Sequence, residues 1–294
     1  MGYVVNACIL SGNRSRALTI YKQTAIDSSS TTPEVRRLRR KARTLAESGR
    51  VAEALGYQRA LADLTPNDFE ALMQLGFMHR EVYEIDAAVH AFRRASGVAP
   101  HTPDPHEALA ELYLDASMYD EAIAESKALL RLMPHSMAAR EILSTAYFQK
   151  GDIGKALETT SEMVRLAPSD ALIHYRRGIL FQQRGDWRNA LHEFSRAEAM
   201  TEEGTVEQEE AQLAIDALDQ HQIRQILMVA AEDLLLQMQL ARDPEEASHD
   251  RGYFLSPNAA AFVGQVANER LSETQGSFRD ASIGGLSRRP SLYN

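Results

Sequence analysis

Apolar positions recur along this chain at helical spacing, and the pattern itself repeats. Pro66, Pro100, Pro134 and Pro168 stand 34 residues apart. Counting that proline as position 32 frames five segments: 35–68, 69–102, 103–136, 137–170 and 171–204, the last with Glu202 in place of the proline. Position 20 is Ala54, Ala88, Ala122, Ala156 and Ala190, and position 8 is Ala42, Gly76, Ala110, Ser144 and Gly178. Position 21 is Leu55, Val89, Ile123, Leu157 and Leu191, and position 17 is Val51, Ile85, Tyr119, Ile153 and Trp187. Position 30 is Leu64, Val98, Leu132, Leu166 and Met200. Two columns of small residues and three of apolar ones, at one fixed period, predict tandem helix hairpins.

The columns have a physical reading. Two helices per segment, A and B, pack antiparallel, and only Ala, Gly or Ser fits where their backbones approach most closely. Apolar residues at positions 7 (Leu75, Leu109 and Leu143), 17, 21 and 30 are expected to fill the seam. Gly49, Gly151 and Gly185 at position 15 suit a turn that needs positive φ. Asp152 and Asp186 follow two of these glycines and are placed to cap helix B. The proline ends helix B, because the residue before a proline is pushed out of the α region.

This pattern resembles the tetratricopeptide repeat (TPR) family, whose signature has this period. Segment 69–102 matches through Leu72, Leu75, Gly76, Ala88, Phe92, Ala95 and Pro100, and 171–204 through Gly178, Phe181, Ala190, Phe194 and Ala197. Gln58, Ser126 and Thr160 depart at position 24, where the family prefers an aromatic. The resemblance implies an all-α, right-handed α-solenoid of helix hairpins, here with C-terminal capping helices and a flexible tail.

Outside the five segments the pattern fades. Gly12-Asn13-Arg14-Ser15-Arg16-Ala17-Leu18 parallels Gly151-Asp152-Ile153-Gly154-Lys155-Ala156-Leu157, so 1–34 reads as a degenerate sixth unit. On that register Met1 already falls at position 4, so the start is frayed or native sequence lies upstream. Residues 205–242 stay helical in composition but put Arg224 at position 20. They read as a capping helix or helix pair, with a dimerisation helix as the alternative. Residues 243–272 read as a linker and a short amphipathic helix starting at Ser256-Pro257, with Phe262, Val263 and Val266 on one face. Residues 273–294 are expected to be disordered.

Composition narrows the function. Formal net charge is −9, which argues against general binding of nucleic acid or anionic membrane, though not against a local basic patch. The one cysteine, Cys8, excludes an internal disulfide framework and a Cys-rich metal site. The start lacks a basic n-region, and no stretch reaches the roughly 20 apolar residues of a membrane span, so the expected compartment is the cytoplasm.

In the family, A helices line a concave groove, and positions 2, 5, 9 and 12 share one helix face. The resemblance therefore implies Arg36, Arg39, Arg43, Met73, Phe77, Arg80, Glu107, Glu111, Phe148, Tyr175 and Ile179 as groove residues. The groove reads as basic at one end, acidic in the middle and apolar at the other. A complementary peptide has an acidic end, a basic centre and an apolar anchor. The competing reading is solvated charge, with the apolar end covered by 205–271. A carboxylate clamp is disfavoured: Arg39 and Arg43 lack the paired Asn. The run Arg36-Arg37-Leu38-Arg39-Arg40-Lys41-Ala42-Arg43 reads first as the polar face of a helix that buries Leu38, Ala42 and Leu45, and second as a phosphate or lipid patch.

No catalytic or cofactor motif is present. His106 and His174 share position 4, His101 and His135 position 33, and His90 and His192 position 22. Equivalent positions in successive units do not converge on one ion. The expected function is a non-catalytic protein-interaction scaffold for a protein or peptide partner, without cofactor. The alternatives are a homo-oligomer built through 205–242 and a basic-patch binder.

Overall fold

A computed structural model describes residues 32–285, with side chains to 273. The described residues are helical hairpins with no strand. Ten helices follow the repeat frame: α1 (Pro33–Glu47), α2 (Val51–Leu64), α3 (Phe69–Glu81), α4 (Ile85–Val98), α5 (Asp104–Asp115), α6 (Tyr119–Leu132), α7 (Met137–Gln149), α8 (Ile153–Leu166), α9 (Ala171–Gln183) and α10 (Trp187–Met200). Then come α11 (Val206–Glu232), α12 (Leu234–Arg242), α13 (Pro244–Asp250) and α14 (Pro257–Gly285). The chain divides into two compact units between Ala146 and Tyr147, within α7.

Every B helix starts at position 17 and ends at position 30. The five alanines at position 20 are fully buried, and Ala42, Gly76, Ala110, Ser144 and Gly178 at position 8 are buried as well. The column at position 24 explains the departures from the family pattern. Phe92 and Phe194 press on Gly76 and Gly178, and a Cβ added at Gly178 would lie 2.5 Å from the Phe194 ring. Where position 8 carries a side chain (Ala42, Ala110, Ser144), position 24 is Gln58, Ser126 or Thr160. A ring fits only over a glycine notch; elsewhere a smaller polar side chain fills the space. Thr160 donates to the Ala156 carbonyl at 3.1 Å and Gln58 to the Ala71 carbonyl at 2.8 Å, whereas the buried Ser126 hydroxyl has no hydrogen-bond partner.

The A–B turn is the same in all five segments. Position 15 has positive φ at Gly49, Gly151 and Gly185, and also at Tyr83 and Ser117, where φ is 60° and 58°. Asp152 and Asp186 cap α8 and α10 as expected, accepting from the backbone N–H of Lys155 and Asn189. One column differs from expectation. Position 30 does not fill the seam: its five residues are 36–52% exposed. It is the last residue of each B helix, and the chain leaves the hairpin just beyond it.

In the second unit, α11 covers the last hairpin. Ile215 and Leu218 join Ala190 and Phe194 in one buried cluster, as a capping helix should. The helix stops at Asp233, which caps α12 by accepting from the Leu236 N–H. A separate core then joins Ile226, Ala230, Leu236, Leu240, Leu255 and Val263. The stretch read as a linker and a short amphipathic helix holds α13 and the start of α14, both packed on α12. Ser256 accepts from the Ala259 N–H at the start of α14, as expected. The buried face of α14 is Ala259, Ala260, Val263 and Ala267, while Phe262 is exposed, unlike the expected grouping. This helix is described as far as Gly285, where the described residues end. Residues 286–294 and residues 1–31, which make up most of the degenerate unit read at 1–34, lie outside the described residues.

Candidate binding surface

The first unit answers its arginines internally. Arg39 of α1 pairs with Asp68, the residue that caps α3. Arg80 of α3 donates to Glu111 Oε2 at 2.9 Å and to Asp115 Oδ2 at 2.6 Å, both on α5. Burial works against the Arg80 charge, but the two carboxylates outweigh it and hold the guanidinium above its ordinary value. Arg43 pairs along its own helix with Glu47 at 2.8 Å. The charges expected to lead a peptide by their order are thus largely spent between neighbouring A helices.

The expected apolar contacts of this unit are also mostly inward. Met73 is buried instead of standing open in the groove. Phe77 is half-buried and meets Phe92 edge-on, with ring centroids 5.1 Å apart. Glu107 is half-buried on α5. In the basic run, Val35, Leu38 and Ala42 are buried, Leu45 is half-buried, and Lys41 lies 5.3 Å from the Tyr57 ring centroid.

The second unit presents a different face. Phe148 is half-buried at the end of α7. Tyr175 and Ile179 of α9 are half-buried and pack on the cluster that α11 completes, with Tyr175 tilted over Phe194 at 5.6 Å. Beyond them, Leu172 is exposed, and so are Val206 and Leu213 of α11 at 67% and 66%. Val206 and Leu213 fall at positions 2 and 9 if the frame is carried into α11, the register of Leu172 and Ile179. Acids surround them: Glu202, Glu203, Glu207 and Glu209, with no Lys or Arg between 197 and 223. Sequence reasoning missed Val206 and Leu213 because the alanine column ends before α11. Extending positions 2 and 9 by one more period would have found them.

Two histidines prove to be latches. His106 of α5 pairs with Glu125 of α6 through Nδ1 at 2.7 Å. His174 of α9 pairs with Glu193 of α10 at 2.8 Å, and its Nε2 lies 3.1 Å from the Pro168 carbonyl. Both of its neighbours are acceptors. Arg177 also donates to Glu193. Burial opposes the Glu193 charge, but Arg177 and His174 prevail and hold the carboxyl below its ordinary value. Among the described residues no group of three or more His, Cys, Asp or Glu is placed to hold a metal ion. No helix among them is long and apolar enough to cross a membrane.

This hairpin geometry defines a class of repeat proteins built for surface contact. The family model for the tetratricopeptide repeat matches residues 11–69 and 107–171. With its repeat columns and fold, the chain carries tetratricopeptide repeats over these residues. Similar solved structures include a double mutant of MamA from RS-1, at 21% identity and TM-score 0.53, covering 57% of this chain and 95% of that one. MamA from Desulfovibrio magneticus RS-1, residue 41 to its end, matches at 21% identity and TM-score 0.52, covering 57% of this chain and 96% of that one. At such identity the likeness is one of fold. No curated protein matches the sequence.

Proposed function

We propose that this protein is a non-catalytic interaction scaffold that holds a partner segment on the A-helix face of its second unit. The observation that carries this reading is the contrast between the residues that the repeat register assigns to the groove in the two units. In the first unit, Arg39 and Arg80 are engaged by Asp68, Glu111 and Asp115. In the second, Leu172, Val206 and Leu213 stand exposed, and Tyr175 and Ile179 are half-buried on the cluster that α11 completes. Exposed apolar side chains in a charged rim are the usual composition of an interaction site. The acids around α11 favour a segment with apolar anchors and basic flanks, which refines the charge order read from the sequence. The single cysteine fits a reducing compartment such as the cytoplasm.

Affinity capture with quantitative mass spectrometry tests this. A Leu172→Asp/Leu213→Asp double variant keeps its fold, because both positions are exposed, and recovers at least about tenfold less of the specific partner. Arg80→Ala, an internal clamp, recovers it nearly in full. Equal recovery by the wild type and the double variant sinks the reading.

A further inference from the structure

The C-terminal core leaves a second apolar face uncovered, away from the surface just described. On α12, Leu236 and Leu240 are buried, while Leu234, Leu235 and Met238 are 56%, 63% and 55% exposed. The exposed three share a stripe by spacings of three and four, and Arg242 continues it at the C-terminal end. Glu232 is exposed just before the N-terminal end. Asp233, the other acid there, is engaged by Arg251 at 2.9 Å. The stripe is therefore apolar, with a positive charge at its C-terminal end and an exposed negative one in the chain just before its N-terminal end.

We propose that this face is a homodimer interface in which α12 of one copy lies antiparallel on α12 of a second copy. A two-fold axis near Gln237 or Met238 sets the apolar stripes against each other. It also brings Glu232 of each copy toward Arg242 of the other. An isologous contact needs this kind of self-complementarity, and a parallel pairing would set like charges together. Net charge supports the choice of a second copy as occupant. The chain carries −9 overall and repels itself, yet 225–242 holds only Glu232, the engaged Asp233 and Arg242. Copies meet here at close to neutral charge. Only a few side chains form the stripe, so the dimer is in exchange with monomer over ordinary working concentrations.

Sedimentation velocity of the full chain over a concentration series tests the proposal. The wild type shifts from monomer to dimer as concentration rises. Leu235→Asp/Met238→Asp stays monomeric with an unchanged circular dichroism spectrum, since neither residue is in the core. Glu232→Arg alone and Arg242→Glu alone each weaken the dimer by about fivefold or more, and the two together restore it. Leu172→Asp/Leu213→Asp dimerises normally, which separates this face from the partner-binding one. A wild type that stays monomeric at every concentration overturns the proposal and leaves the face to another protein. So does a dimer that survives Leu235→Asp/Met238→Asp, or charge reversals that fail to compensate each other.

Discussion

The third and fifth hairpins, 103–136 and 171–204, solve the same packing problem with different side chains. Both latch position 4 to position 23, His106 to Glu125 and His174 to Glu193. In the third the paired side chains are each 20% exposed; in the fifth they are 0% and 4%, with Arg177 added. The fifth seats Phe194 over Gly178, whereas the third sets Ser126 by Ala110 and leaves its hydroxyl without a partner. The fifth turns on Gly185 and the third on Ser117. One backbone thus accepts either a ring over a glycine with a buried latch, or smaller side chains with a more exposed latch. The fifth hairpin adjoins the cap, and its side chains are the more interdependent.

The largest expected effect is at the ring. Phe194→Ala removes a fully buried phenyl and costs about 4 kcal/mol in urea unfolding. Gly178→Ala forces a Cβ into that ring and costs about 1–3 kcal/mol. The double variant Gly178→Ala/Phe194→Ser imports the third hairpin's pair. Its cost is well below the sum of its parts, because the two positions are coupled. Strict additivity would mean that the notch and the ring do not determine each other.

Much of this was legible before any coordinates. The proline period set the frame, and the alanine column located the closest helix approach; all five B helices begin and end where the period places them. The Gly-Phe match was also visible, since position 24 is aromatic only where position 8 is glycine. The His-Glu latches were there as paired columns, but histidine was weighed as a metal ligand rather than against the glutamate 19 residues on. The groove was less legible. Its register came from the family resemblance, but whether Arg80 faces a ligand or Glu111 depends on the next helix, which a single helix face does not reveal. Exposure at position 30 likewise depends on where the chain turns away.

The latches give the next effect. Glu193→Gln takes the carboxylate away from the half-buried Arg177 and the buried His174 and costs about 3 kcal/mol. Glu125→Gln, at the partly exposed latch, costs about 1 kcal/mol or less. The sign with pH follows from the Glu193 carboxyl, held below its ordinary value of 4.5 by Arg177 and His174 against burial. The unfolded chain takes up that proton first as pH falls. The stabilisation is therefore complete above the unfolded value and is lost as pH drops through the folded one. Urea midpoints of the wild type fall on that acid limb, and Glu193→Gln flattens it. An unchanged limb would show that the buried latch carries no more of the stability than the exposed one.

The smallest effect concerns the turns, and it runs the other way. Ser117 and Gly185 close the same turn: Ser117 N–H donates to the Leu114 carbonyl at 3.0 Å, and Gly185 N–H to the Gln182 carbonyl at 3.0 Å. The following N–H groups reach back to the carbonyls of Tyr113 and Phe181 at 2.8 and 2.9 Å. With the hydrogen bonds matched, the remaining difference is the Cβ at φ 58°, which costs an L residue about 1–2 kcal/mol in the left-handed region. Glycine removes that strain and returns about 0.4–1 kcal/mol of it as extra freedom in the unfolded chain. Ser117→Gly therefore stabilises by about 0.5 kcal/mol, and Gly185→Ser destabilises by a similar amount. Matched urea titrations of the two reciprocal variants check this. If both changes destabilise, the serine hydroxyl contributes something to its own turn that the backbone geometry does not contain.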